Sequence, residues 1–142
     1  RNEIENLRKK NINDNLHFKA NVPYIKLPKI MITMDILTIP YTNQIKSAGE
    51  VDDISKYTSP LKLFDYLAVG KMIISSDLKV LREVIDNSNA IFIKNFENIY
   101  EWKKNIMKVK NEKNKILMIS KNNLRLSKNY DHINRVKKYI RF

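Results

Sequence analysis

Residues 59–78 read SPLKLFDYLAVGKMIISSDL. Ser59 followed by Pro60 marks a helix start. A serine hydroxyl can accept from a free backbone N–H, and proline suits the first helical position because it has no N–H to leave unsatisfied. Gly70 ends the helix, since glycine adopts the left-handed conformation of helix C-termini at little cost. The spacing predicts a helix over 60–69 and a strand over 72–75, with Leu61, Phe64 and Ala68 as the buried stripe of the helix. Helix, glycine and apolar strand in direct succession form one step of an alternating α/β chain.

The alternation continues on both sides. Upstream, the pattern predicts a strand over 16–19, a turn at Asn21-Val22-Pro23-Tyr24 and a short helix over 27–34. A strand over 35–39 follows, nearly continuously apolar as buried parallel strands are, and ended by Pro40. A polar loop over 41–58 holds Gly49, one of two glycines in the chain, beside Glu50, Asp52 and Asp53. Downstream, a helix is expected over 78–85, a strand over 90–93 and a helix over 98–109. Connections too long for hairpins imply right-handed crossovers. The expected fold is therefore α/β, a Rossmann-like parallel sheet with flanking helices. From Lys113 only helical patterning remains, through Ile116, Leu117, Ile119, Leu124, Ile133, Val136, Tyr139 and Ile140. This divides the chain into a sheet domain over 1–110 and a helical tail over 111–142 that packs on it.

The 142 residues suit one compact domain. The chain opens on Arg1 inside an amphipathic run (Ile4 and Leu7 among Glu3, Glu5, Arg8 and Lys9) with no start signal before it, so a piece of a longer protein is expected. It contains no run of about 18 apolar residues and no charged-then-apolar leader. With no cysteine, a disulfide framework and thiolate metal sites are excluded, which is compatible with the cytoplasm. The net charge of +12 is unevenly placed: residues 102–142 carry 13 Lys/Arg against 2 Asp/Glu, and residues 1–101 carry 14 against 13. The tail reads either as a helix with a solvated basic face or as a surface meeting anionic lipid at the inner face of a membrane. Nucleic acid is not the expected partner, because the basic residues are not interleaved with a recognisable module or an exposed aromatic series.

Lys62 is the anomaly of the central helix. A cation in the first turn opposes the partial positive charge of the helix N-terminus, at a cost of about 0.3–1 kcal/mol when uncompensated. A bound anion would compensate it: free N–H groups, the helix dipole and a lysine together suit a phosphate, at the carboxyl end of a parallel sheet where ligands gather. Asp65, three residues on, could accept hydrogen bonds from ribose hydroxyls. The alternative is a Lys62–Asp65 surface pair.

Residues 59–78 and the LREVI of 81–85 closely resemble the SPLKLFEYMAAGKPIVASDLP…LREVL stretch of group-1 glycosyltransferases, retaining enzymes of the GT-B fold. Phe18-Lys19-Ala20-Asn21-Val22-Pro23 is similar to their F-x-G-x-V-P turn. Asp35-Ile36-Leu37-Thr38-Ile39-Pro40-Tyr41 is similar to their D-hydrophobic-P-Y strand. The three matches occur in the family's order and cover about residues 1–110. The resemblance implies the C-terminal half of such an enzyme, which holds a nucleotide-diphosphate-sugar donor against an acceptor-binding N-terminal domain.

Carried over by position, Ser59, Pro60, Leu61 and Lys62 would face the diphosphate, and Asp65 stands where the family has the second glutamate of E-x7-E, the ribose ligand. Ala20, Asn21 and Val22 would lie by the nucleobase, chiefly through backbone groups. Pro40 and Tyr41 would line the sugar side. Lys62, with the helix N–H groups, would be catalytic by stabilising the leaving diphosphate. The implied acceptor is a glycan or a lipid-linked saccharide, and no metal or further cofactor is expected. Three departures stand out. Tyr57 occupies the position of the first glutamate, Asp65 is one methylene shorter than the family's residue, and Ala20 replaces a glycine. With the acceptor domain lacking, this chain alone is expected to be inactive. Other readings are a GT-B-fold sugar-nucleotide epimerase and a basic nucleic-acid-binding protein.

Several further signals carry less. Gly70-Lys71 ends a helix rather than opening one, unlike a phosphate loop. The acidic residues Glu50, Asp52 and Asp53 read as a solvated loop, so no metal site is expected there. His17 and His132 are far apart, and Tyr100 and Trp102 are expected to be packing residues.

Overall fold

A computed structural model describes residues 17, 21–42 and 61–130. The expected opening helix, the strand over 16–19 apart from His17, most of the 41–58 loop and the last stretch of the tail lie outside the described residues. Three strands, β1 (Ile36–Ile39), β2 (Met72–Ser76) and β3 (Ala90–Ile93), form a parallel sheet in the order β1-β2-β3. Ile36 stands opposite Met72, and Ile73 opposite Ala90. The helices are α1 (Leu27–Met31), α2 (Leu61–Ala68), α3 (Lys79–Arg82), α4 (Ile99–Lys110) and α5 (Lys113–Ser127). The chain is thus an α/β protein with a parallel sheet and flanking helices.

Side chains alternate across a strand, so each strand supplies both faces of the sheet. Ile39, Ile73 and Ala90 point to one face, where Leu63 and Leu67 of α2, Leu81 of α3, and Ile85 close a buried cluster. Met72, Ile74 and Ile93 point to the other, where they meet Val109 of α4 and Ile119 of α5. Because β2 is central and covered on both faces, all five of its residues are buried. Its two serines are satisfied: the Ser76 hydroxyl donates to the Tyr41 carbonyl at 2.6 Å, and that of Ser75 to the Ser76 carbonyl at 3.1 Å.

The helix of residues 60–69 corresponds to α2, but its expected stripe is corrected. Leu61 is 73% exposed and Ala68 is exposed; the buried residues are Leu63 and Leu67. Leu61 sits two positions before Leu63, about 200° round the helix, on the side facing away from the sheet. Phe64 is half-buried against the Tyr130 ring, centroids 5.1 Å apart. Gly70 ends the helix at φ 62, and the Leu124 side chain occupies the space a Cβ would take.

Two other helices are shorter than expected. A 3-10 turn (Tyr24–Lys26) leads in, and residues 27–34 give only α1 and then turns in which the Thr33 N–H and hydroxyl both bond to the Ile30 carbonyl. Ile32 and Met34 are exposed, so no packing rewards continuing the helix. Residues 78–85 form only the single turn of α3. Leu78 at its N-cap supplies no side-chain bond, and the preceding Asp77 carboxylate is held by Arg82 instead. In α4 the Asn98 side chain caps the Tyr100 N–H at 2.9 Å. Trp102 is half-buried and its indole N–H donates to the Phe96 carbonyl, whereas Tyr100 is 76% exposed and does not pack as expected.

The α5 helix passes the amino ends of β2 and β3. Asn123, fully buried, donates to the carbonyls of Lys71 (2.8 Å) and Asn89 (3.0 Å) and accepts from the Asn89 amide at 3.1 Å. Beside it, Asn122 donates to the Ser88 carbonyl. No described helix is long and apolar enough to cross a membrane.

Candidate functional site

In a parallel sheet all strands end on the same side, and each crossover helix starts on that side and runs back. The α2 helix connects β1 to β2, so its first turn lies toward the carboxyl ends of the strands, while Gly70 lies at the amino end of β2. Its outward positions Leu61, Lys62 and Asp65 fall within a little over one turn, with Leu61 and Asp65 four residues apart on one face.

Lys62 is exposed and Asp65 is partly buried. They do not pair with each other. Asp65 Oδ1 instead accepts from the phenol of Tyr24 at 2.8 Å, across 41 residues of sequence. The ion pairs among the described residues are Arg82–Asp77 and Lys115–Glu112, and Lys62 joins neither. The surface-pair alternative for Lys62 and Asp65 is therefore not what these residues form. The hydrogen bond to Asp65, reinforced by the negative charge of that carboxylate, holds the Tyr24 phenol above the usual tyrosine range.

Pro40 is exposed and Tyr41 half-buried where the chain leaves β1, and the Ser76–Tyr41 hydrogen bond ties that point to the end of β2. Tyr66 of α2 reaches toward the Thr38 carbonyl at 3.5 Å. Burial raises the Tyr41 phenol; it also raises that of Tyr66, helped by nearby Tyr41 and Asp65. These two phenols stay protonated at neutral pH and can act as hydrogen-bond donors or acceptors.

Asp77, just beyond β2, is committed to structure. Arg82 grips both its oxygens, through Nε at 2.6 Å and Nη2 at 3.1 Å, and its Nη1 donates to Asn87 at 2.8 Å. The same guanidinium lies over the Phe92 ring, 3.5 Å from its centroid. Hydrogen bonding to Arg82 holds the Asp77 carboxyl below the usual carboxylate range and raises the guanidinium further.

Of the residues proposed from sequence, Ala20, Tyr57, Ser59 and Pro60 lie outside the described residues. Asn21 is exposed and Val22 half-buried in the segment leading to the Tyr24 turn, and Leu61 lies open beside Lys62. The Tyr24–Asp65 bond thus ties the turn that follows Asn21 and Val22 to α2. Tyr24 and Tyr66 were not singled out from sequence. Tyr66 carried a signal, since a tyrosine beside Asp65 on a helix that follows a strand end has a hydroxyl to satisfy. No family model matches the chain, and no curated protein matches its sequence.

Proposed function

We propose that the chain is the donor-binding part of a retaining, GT-B-type glycosyltransferase, in which residues at the carboxyl ends of β1 and β2 hold a nucleotide-diphosphate sugar. The reading rests on one observation above the others: Asp65 is bonded to Tyr24, and Lys62 is left exposed in the first turn of α2 without joining an ion pair among the described residues. A cation so placed is unfavourable next to the helix dipole unless an anion neutralises it. The motif resemblance supplies the kind of anion, a diphosphate, with Asp65 set for ribose.

In this reading Lys62 and the N–H groups opening α2 stabilise the diphosphate as it leaves, while the breaking glycosidic bond builds positive charge on the sugar. Tyr41 and Pro40 line the sugar side. An acceptor-binding domain preceding this one closes over the donor, orients the acceptor hydroxyl and excludes water. The acceptor is a glycan or lipid-linked saccharide, and the enzyme works in the cytoplasm, with the basic tail helix against the inner face of the membrane.

Calorimetric titration of the chain with UDP and GDP tests the reading. Saturable binding of one of them is expected, weakened about tenfold or more by Lys62→Ala and by Asp65→Ala. Salt-sensitive binding of duplex DNA, undiminished by Lys62→Ala and unaccompanied by nucleotide binding, would replace it with the nucleic-acid reading.

A further inference from the structure

Tyr24 is 71% exposed and belongs to neither buried cluster, yet its hydroxyl is fixed to Asp65 at 2.8 Å. An exposed hydrogen bond of this kind contributes little to holding a fold together, since water competes for both partners. What it does fix is the carboxylate. An ionised carboxylate only accepts hydrogen bonds; with the phenol on Oδ1, Oδ2 is open to another donor, and the bond restrains how the group turns. Exposed apolar residues belong to the same two elements: Tyr24 and the adjacent Ile25 in the turn, and Leu61, four residues before Asp65 on one helix face. Lys62 stands one turn closer to the helix N-terminus. A carboxylate, an exposed aromatic ring bonded to it and a cation three residues away on the helix suit a diol joined to an aromatic base on one side and to phosphate on the other.

Resting on the nucleotide-sugar reading above, we propose that Tyr24 is a positioning residue of that site, which by bonding Asp65 presents its free oxygen to the ribose hydroxyls and so sets the preference for ribonucleotides. The hydroxyl orients Asp65, and the ring borders the base. The phenol, held above its usual range by the carboxylate, keeps its proton and remains a donor throughout the neutral range.

The test compares UDP and GDP with their 2′,3′-dideoxy analogues on the 142-residue chain by calorimetry. The wild type is expected to prefer the ribonucleotide by about tenfold. Tyr24→Phe, which keeps the ring and removes the hydroxyl, should bring that ratio to about 1–3 while leaving the affinity for the dideoxy analogue within about twofold. Asp65→Asn should collapse the ratio similarly, and the double variant should be no worse than either single one. Lys62→Ala should weaken both ligands equally and leave the ratio intact. A wild-type ratio preserved in Tyr24→Phe overturns the role of Tyr24 and leaves the donor-site reading standing. A wild type that binds none of the nucleotides overturns both, whereas saturable binding without discrimination overturns the ribose role of Tyr24 and Asp65 alone. Because Tyr24 is exposed, an unchanged thermal midpoint for Tyr24→Phe separates lost positioning from lost folding.

Discussion

The amide of Asn123, on the tail helix α5, donates to the carbonyl of Lys71 at 2.8 Å, across 52 residues of sequence. That carbonyl belongs to the residue between Gly70 and the first residue of β2, so the tail is bolted to the root of the central strand. Replacing Asn123 with alanine removes a fully buried amide and leaves the Lys71 and Asn89 carbonyls without it. The expected loss is about 1–3 kcal/mol in urea unfolding, and leucine, which fills the space without restoring the bonds, should not recover it.

Gly70 couples the same helix to α2. Its φ of 62 disfavours any side chain, and Leu124 occupies the space of a Cβ. Gly70→Ala should destabilise by about 2–4 kcal/mol in the same measurement. Adding Leu124→Ala should relieve the overlap but not the backbone strain, so recovery is expected to be partial.

The corrected face of α2 separates Leu61 from Leu63. Leu63 is fully buried and Leu61 is 73% exposed. Leu63→Ala should cost about 2–5 kcal/mol, and Leu61→Ala should stay within about 0.5 kcal/mol. The reverse order would return the buried stripe to Leu61.

Acid stability has a defined sign at Asp77. Its folded value is depressed below the ordinary 3.8 by Arg82, so the pair's contribution is present above the unfolded value and fades as pH falls through the folded one. Both side chains are partly open to water, which limits the contribution to about 0–1 kcal/mol. Asp86 adds in the same direction, its carboxyl lowered by hydrogen bonds from Ser88. Thermal midpoints measured from pH 7 to pH 3 should fall, and Asp77→Asn should make that fall shallower while lowering the midpoint at pH 7.

Much of the architecture was legible because it is local. The apolar run at 90–93 became β3 with those bounds, and the glycine at position 70 ended its helix as the residue type demands. The face of α2 was not legible. Leu61, Leu63 and Leu67 are equally apolar, and what chooses between them is the position of the sheet beneath and of α5 alongside. The shortness of α3 was not legible either: Leu78 gives it no side-chain cap, and the Asp77 carboxylate is held by Arg82, a choice between local partners that composition does not state. At the candidate site, Lys62 was visible as a charge in an unfavourable place. The partner of Asp65 was not, because Tyr24 lies 41 residues away and reaches it only through the fold.

The docking of α5 also bears on how the chain is made. Synthesis delivers β1, α2, β2 and β3 before residues 113–127, so a growing chain holds Leu67, Gly70 and the roots of the strands before it has the segment that covers them. Until Asn123 and Leu124 emerge, the sheet is a half-roofed structure with sticky surface open to chaperones and to other nascent chains. A stop codon near residue 110 would remove none of the described strands, yet it would leave a product fit for aggregation rather than for work.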